Sequence, residues 1–379
     1  MVGALLVREG KVIGRGWHRR AGGPHAEIEA LRDVRKRGES PRGATLYVTL
    51  EPCSTHGRTP PCTDAIIAAG IRRVVLGATD PNPKHRGRAF GILRRAGISV
   101  EGITASRGWG KAPDGRSLGS RGRSPHQGLA ADCERLNEAY NHWIARRMPF
   151  VTVKAAMTLD GKIATASGES KWITSAQARE FGMKLRRGAD AILVGVNTVL
   201  ADDPSLTIRP VKKATLDPPM PGLRRIVLDS MARTPLDAKV VSDEHAALTT
   251  VVVGRRAPQK RVAALANRVH VMVAPERKSQ ISNFKSQINL PWLLKKLGAE
   301  GVTSLLVEGG GEVNASFLLG GLAHRVAFFY APTIIGGRNS RPAVAGEGAA
   351  GLAGAVNLAD VRWRRLGPDL LLTARVAGA

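Results

Sequence analysis

Short runs of β-branched and aliphatic residues alternate with longer amphipathic stretches from the start of the chain to about residue 103. The runs "ALLV", "KVIGRGW", "ATLYVTL", "RRVVLGA" and "GISVEG" have the length and composition of strands. Between them, "HAEIEALRDVRK" sets Ile28, Leu31 and Val34 on one helical face, and "CTDAIIAAG" closes with Gly70 where a helix C-cap belongs. This pattern predicts an α/β domain over residues 1–103 with one principal sheet.

Residues 104–127, "TASRGWGKAPDGRSLGSRGRSPHQ", have almost nothing to bury and are expected to form a basic linker or insertion. Helical periodicity resumes in "GLAADCERLNEAYNHWIARR", which predicts one connecting helix over residues 128–147 and includes Cys133. A second α/β domain is expected over residues 148–379. Its strands are "FVTVKAAM", "DAILVG", "RRIVLD", "TTVVVG", "VHVMVA", "SLLVEGG", "RVAFFYAP" and "DLLLTARV", with helices at 175–187, 290–298 and 312–319. Strand and helix alternate here, which favours a mainly parallel sheet. The tandem "KSQISNFKSQI", from residue 278, is polar and too brief for a solenoid, and a surface loop is expected.

Composition narrows the class. A chain of 379 residues with 43% hydrophobic content can form two or three packed domains, which excludes a wholly disordered protein. No apolar stretch approaches membrane-spanning length and no basic region with an apolar run opens the chain, so the expectation is a cytoplasmic protein with no membrane partner. Three cysteines are too few for a disulfide framework, and the odd count in a reducing compartment argues further against pairing. The formal charge of +26 would attract nucleic acid, anionic membrane or phosphorylated small molecules, but the arginines are evenly scattered and only 4% of residues are aromatic.

The chemistry concentrates in "PHAE" and "EPCSTHGRTPPC". Cys53, Cys62 and His25 offer two thiolates and an imidazole, a zinc ligand set that leaves a fourth position for water. Glu27, two residues beyond His25 at a helix start, can face that water without being a ligand and carry its proton. His-x-Glu with Pro-Cys…Cys is the constellation of zinc nucleobase deaminases, although the cysteines are separated here by eight residues rather than two. Gly57, Pro60 and Pro61 supply the turns that a longer loop needs to close on one ion. In the second half, Gly309, Gly310 and Gly311 follow a buried strand and precede a helix, an arrangement that attracts phosphate, with Glu308 at the strand end. By themselves such glycines also suit a tight structural turn. Asp202-Asp203-Pro204 alone reads as a turn, and Thr174 with Gln177 as a capping box.

"GWHRRAGGPHAEIEAL", "GATLYVTLEPCSTHGRTPPCTDAIIAAGI" and "DPNPKHRGRAFGILRRAGI" closely resemble the deaminase half of the bifunctional riboflavin-biosynthesis deaminase/reductase family. "KAAMTLDGKIATASGESKWITSAQAR", "DAILVGVNTVLADDPSLTIR", "IVLDS" and "VEGGGEVNASFL" resemble its reductase half. The resemblance implies a cytidine-deaminase-like αβα domain followed by a dihydrofolate-reductase-like αβα domain. It implies removal, with Zn2+, of the 2-amino group of a phosphoribosylated diaminopyrimidine, then reduction of the ribosyl chain to ribityl with NADPH. By matching motif, Ala156, Trp172, Thr198, Asp202, Ser230 and the segment Gly310, Gly311, Glu312, Val313, Asn314, Ala315 and Ser316 are implied cofactor contacts. Ser170, Arg186, Leu206, Arg209 and Glu308 are implied substrate contacts. A guanidinium fork suits phosphate, so Arg186 and Arg209 read as phosphate clamps. Lys154 is a candidate for polarising the sugar, and His18 and Arg58 are candidate pyrimidine-site contacts.

The family carries a leading helix and a loop containing Pro and Asn ahead of the strand that opens here at Val2 and Gly3, so the first domain reads as truncated at its N-terminus. An alternative is therefore a reductase with an impaired deaminase domain. A base deaminase acting on nucleic acid would leave the reductase-like half without a purpose, and a basic nucleic-acid-binding module would leave Glu27 idle. The expected partner is the phosphoribosylated pyrimidine rather than nucleic acid, and a homo-oligomer is compatible with the sequence.

Overall fold

The computed structural model describes residues 2–18, 23–56, 59–83, 85–102, 125–208, 222–276 and 288–378, and the chain divides into compact units at residues 1–146 and 147–379. In the first unit, β1 (Gly3–Arg8) and β2 (Lys11–Trp17) form a hairpin. Its two turn residues, Glu9 and Gly10, both have positive φ, the twist that a tight hairpin demands. Next come α1 (Ala26–Lys36), β3 (Thr45–Val48), α2 (Cys62–Ala68), β4 (Arg73–Leu76), α3 (Arg88–Arg95) and β5 (Ser99–Gly102). The sheet order is β2-β1-β3-β4-β5, antiparallel through β3 and parallel from β3 to β5. Leu6, Val34, Leu46, Ile66, Leu76 and Leu93 fill the core between sheet and helices.

The placement of α1 depends on Gly16. A Cβ there would lie 2.2 Å from both Ala26 O and Ala30 N, so only glycine lets the helix lie this close to β2. The predicted connecting helix is two helices, α4 (Pro125–Leu136) and α5 (Glu138–Arg146), interrupted at the buried Asn137. Its start also takes in the last residues assigned to the linker, and the rest of that linker lies outside the described residues. Helix α3 was not expected, because "RAFGILRR" carries a central glycine and is short.

The second unit contains β6 (Phe150–Thr158), β7 (Lys162–Ala164), α6 (Ala176–Arg187), β8 (Ala191–Gly195), α7 (Val196–Asp202), β9 (Arg224–Leu228), α8 (Lys239–Ser242), β10 (Thr249–Gly254), α9 (Gln259–Ala266) and β11 (His270–Ala274). It continues with α10 (Leu290–Ala299), β12 (Ser304–Val307), α11 (Gly311–Leu318), β13 (Arg325–Ala331), β14 (Arg341–Pro342), β15 (Leu358–Leu366) and β16 (Asp369–Val376). The large sheet runs β11-β10-β9-β8-β12-β6-β13-β16-β15. It is parallel from β11 to β13 and ends in two antiparallel pairings, so the mainly parallel expectation agrees with it. Strand β15 escaped the sequence reading because all its residues but the last, Leu366, are exposed and charge mixes with apolar groups along it, leaving no buried stripe to detect.

Helix α6 starts at a Ser175 cap, whose side chain accepts from Ala178 N, one residue beyond the expected Thr174 box. Thr174 is buried instead. The KSQI repeat lies outside the described residues except for its last, Ile288, which is buried in the core. Among the described residues no helix is long and apolar enough to cross a membrane.

Substituting Gly16→Ala forces α1 off β2, and the first unit is expected to lose about 1–3 kcal/mol in denaturant unfolding. A variant as stable as the unsubstituted protein would show that the helix has room to move.

Candidate active sites

The first site forms where the α1 and α2 N-termini meet the loop after β3. His25 is the residue before α1, Cys62 is the first residue of α2, and Cys53 follows Pro52 in the loop after β3. His25 Nδ1 lies 3.4 Å from Cys53 Sγ and 3.3 Å from Cys62 Sγ, and Cys62 N donates to Cys53 Sγ at 3.2 Å. The three donor atoms lie within 4.8 Å of one another, and all three cysteines of the chain are unpaired. Two sulfurs and one imidazole nitrogen at this spacing fit a tetrahedral zinc ion with one position left for water.

A hydrogen bond with the Cys62 thiol, reinforced by His25, pulls the Cys53 thiol down to about 4 despite burial. The same contact, with burial, pushes the Cys62 thiol up. Two thiols competing for one proton are what a divalent cation relieves, since both bind it as thiolates. Glu27 is 3% exposed and its carboxyl lies against the Cys62 thiol; burial pushes it above the ordinary carboxylate range. That is the direction for a group that must hold a proton during turnover. His18 joins the cluster with its ring edge-on to His25 at 5.3 Å and its Nδ1 2.9 Å from Pro24 O. Arg58 lies outside the described residues.

Sequence reading missed Glu51. It is 4% exposed, and its two oxygens accept from the backbone N–H groups of Asp80, Gly87 and Ala89. A carboxylate at the start of α3 is favoured by the helix dipole, and here it ties the strand end bearing Pro52 and Cys53 to that helix. The only signal in the sequence was a charged residue directly after the run "TLYVTL".

In the second unit a cavity of about 750 Å³ opens beside the carboxyl ends of β6, β8 and β12. Lys154, Ala156, Ser170, Trp172, Arg186, Thr198, Asp202, Leu206, Glu308 and Gly310 line it, which gathers most of the residues singled out in this half. Val307 pairs with Val153, so the next residues along, Glu308 and Lys154, stand side by side, with Lys154 Nζ 3.6 Å from the carboxylate. From α6, Arg186 closes a fork on the same carboxylate, with Nε and one terminal nitrogen at 2.9 and 3.0 Å. Burial alone would raise Glu308, but the two cations outweigh it and hold the carboxyl at about 2.

This pairing changes the reading of Arg186. The fork expected to clamp phosphate is turned onto Glu308, and its third donor goes to Thr207 O at 3.0 Å. The glycine segment also divides. A Cβ at Gly309 would meet Val313 at 2.5 Å and one at Gly311 would meet Pro342 O at 2.4 Å, whereas Gly310 faces open space. The backbone at the start of α11 can therefore meet a phosphate. Further along, Asn314 and Ala315 are buried, with Asn314 Nδ2 donating to Ala343 O, so these side chains are structural. Glu312, Val313 and Ser316 do not line the cavity, and neither does Ser230, which follows β9 one strand beyond β8. Arg209 lies outside the described residues.

Fold and site together define a zinc-type deaminase domain joined to a reductase domain. Residues 1–78 match the cytidine and deoxycytidylate deaminase zinc-binding region, and residues 149–372 match the RibD C-terminal domain. A riboflavin biosynthesis protein RibD from Aquifex aeolicus is 41% identical over 338 residues, covering 88% of this chain and 81% of the relative. A solved RibD structure from Acinetobacter baumannii superposes with a TM-score of 0.77 at 30% identity, covering 99% of this chain and 92% of that one. A Thermotoga maritima structure, described as a diaminohydroxyphosphoribosylaminopyrimidine deaminase/5-amino-6-(5-phosphoribosylamino)uracil reductase, gives 0.73 at 31% identity, with 99% and 92% covered. The chain belongs to the RibD family, the bifunctional deaminase/reductases of riboflavin biosynthesis. Membership implies zinc for the first domain and a nicotinamide cofactor for the second.

Because the folded Glu308 carboxyl is depressed, its stabilisation is present above the ordinary carboxylate range and is lost as pH falls toward 2. Glu308→Gln is therefore expected to destabilise the second unit by about 3 kcal/mol at pH 7, with the gap closing between about pH 5 and 2. A constant gap across that window would show that the triad does not hold the carboxylate ionised.

Proposed function

We propose that the first domain hydrolyses the 2-amino group of 2,5-diamino-6-(5-phosphoribosylamino)pyrimidin-4(3H)-one, and that the second reduces 5-amino-6-(5-phosphoribosylamino)uracil to its ribitylamino product with NADPH. The Thermotoga maritima relative carries this pair of activities in its description. The observation that carries the reading is the buried Glu27 carboxyl set against the Cys62 sulfur of a His25, Cys53, Cys62 cluster.

His25, Cys53 and Cys62 hold zinc, which when bound supplies the Lewis acidity that makes a water nucleophilic near neutral pH. Glu27 accepts that water's proton and returns it to the departing amine, so the proton balance closes within one side chain. His18 borders the same site and Arg58 is proposed to meet the substrate there.

In the second domain, Ala156, Trp172, Thr198 and Asp202 would hold NADPH, and the backbone N–H groups of Gly310 and Gly311 at the α11 start would supply donors for its phosphates. Ser230 and the Glu312–Ser316 stretch bear on the cofactor through backbone or neighbouring contacts. The nicotinamide supplies the hydride and the protein orients it. Ser170 and Leu206 contact substrate, Arg209 takes its phosphate, and Lys154 polarises the sugar. Glu308 holds Lys154 and Arg186 in place as ion-pair partners.

The test follows ammonia release and loss of NADPH absorbance separately, on the phosphoribosylated diaminopyrimidine. Glu27→Gln is expected to lower ammonia release by about 10²–10⁴-fold while zinc content and reduction of the pre-deaminated substrate stay unchanged. Full ammonia release by this variant, or no NADPH consumption with the pre-deaminated substrate, would overturn the corresponding half of the reading.

A further inference from the structure

The wall of the reductase cavity from Asp203 to Thr207 lies outside helix and strand, beginning at the C-cap of α7, and it holds two non-glycine residues in the left-handed region, Asp203 at φ 40° and Leu206 at φ 52°. Asp203 is the left-handed C-cap of α7, where aspartate is tolerated, but at Leu206 the conformation persists only where the surroundings impose it. The surroundings here are regular. Lys239 Nζ donates to the carbonyl of Asp203 at 3.3 Å, Arg225 to that of Ser205 at 2.9 Å and Arg186 to that of Thr207 at 3.0 Å. Three basic side chains from three elements thus take every second carbonyl of one short segment.

Arg225 is the unusual member. It is 0% exposed, in β9, outside the cavity lining. Its other donors go to Thr249 Oγ1 at 2.8 Å, Val240 O at 3.2 Å and both oxygens of Asp243 at 2.7 and 2.8 Å, so all five are used. Asp243 already balances the charge, which leaves the bond to Ser205 O free to act on the wall. A buried arginine is a costly way to fill a core, and fixing one conformation is the use that such groups serve best.

We propose that Arg225 is a positioning residue for the reductase: it sets the Ser205 carbonyl, and so presents Leu206 to the pyrimidine substrate without touching it. This rests on the reading of the cavity as the reductase site. Leu206 lies between two pinned carbonyls, whereas Asp202, on the cofactor side, is the last residue of α7 and is followed by the helix bond from Asp203 N to Val199 O. Loss of the Arg225 bond should therefore move the substrate wall and spare the cofactor wall.

The experiment uses the full chain with two substitutions outside the cavity. Arg225→Lys keeps the charge opposite Asp243 and loses the fork, while Thr249→Val is nearly isosteric and leaves the Arg225 Nε without its acceptor. With the pre-deaminated pyrimidine and NADPH, KM for the pyrimidine is expected to rise about tenfold in Arg225→Lys and about threefold in Thr249→Val. In both, kcat and KM for NADPH stay within about twofold, and ammonia release by the first domain stays unchanged as the sign of an intact chain. An unchanged pyrimidine KM in either folded variant, or a parallel rise in both KM values, overturns the proposal. If Arg225→Lys does not fold, Thr249→Val decides by the same criterion. Failure of the unsubstituted chain to reduce the pyrimidine would instead overturn the reading of the cavity, and the proposal with it.

Discussion

Two sulfurs and an imidazole nitrogen, contributed by three separate points on the chain, must converge before the first domain has any chemistry, and the fold around them serves that convergence. Gly16 lets α1 press on β2, which brings His25 to the site and puts Glu27 in the first turn behind it. Glu51 ties the loop bearing Cys53 to the start of α3. The two prolines before Cys62 end the loop at the first residue of α2, so one thiol is fixed at a helix start and the other lies in the loop before it.

Glu27 and Glu308 are both largely shielded from water, and their neighbours give them opposite tasks. Glu27 is almost without water and lies against thiols and one imidazole, so burial dominates and the carboxyl is ready to hold a proton. Glu308, whose side chain is 11% exposed, has Lys154 and the Arg186 fork beside it, and these cations hold its carboxyl down at about 2. The same side chain is thereby a proton carrier in one domain and a fixed negative anchor in the other.

Much of this was legible in the sequence where periodicity and ligand chemistry are local. Strand β2 coincides with the run read as "KVIGRGW", and Gly70 adopts positive φ just past α2 as a C-cap glycine should. The zinc cluster was legible because soft donors are rare in this chain. What escaped depends on partners far away in sequence. Arg186 has the right chemistry for phosphate, and only the fold brings Glu308, 122 residues on, into its fork. Asn314 and Ala315 sit in a phosphate-like motif, yet helical rotation turns them into the core. Glu51 looked like any charge at a strand end, because backbone N–H groups that assemble on a carboxylate leave no mark on composition.

X-ray absorption at the zinc edge of the purified full chain tests the central claim most directly. The account predicts one zinc per chain bound by two sulfurs at about 2.3 Å and one nitrogen at about 2.0–2.1 Å, with an oxygen completing the shell. A chain that purifies without zinc, or a shell closed by four protein sulfur and nitrogen donors with no oxygen, would contradict it.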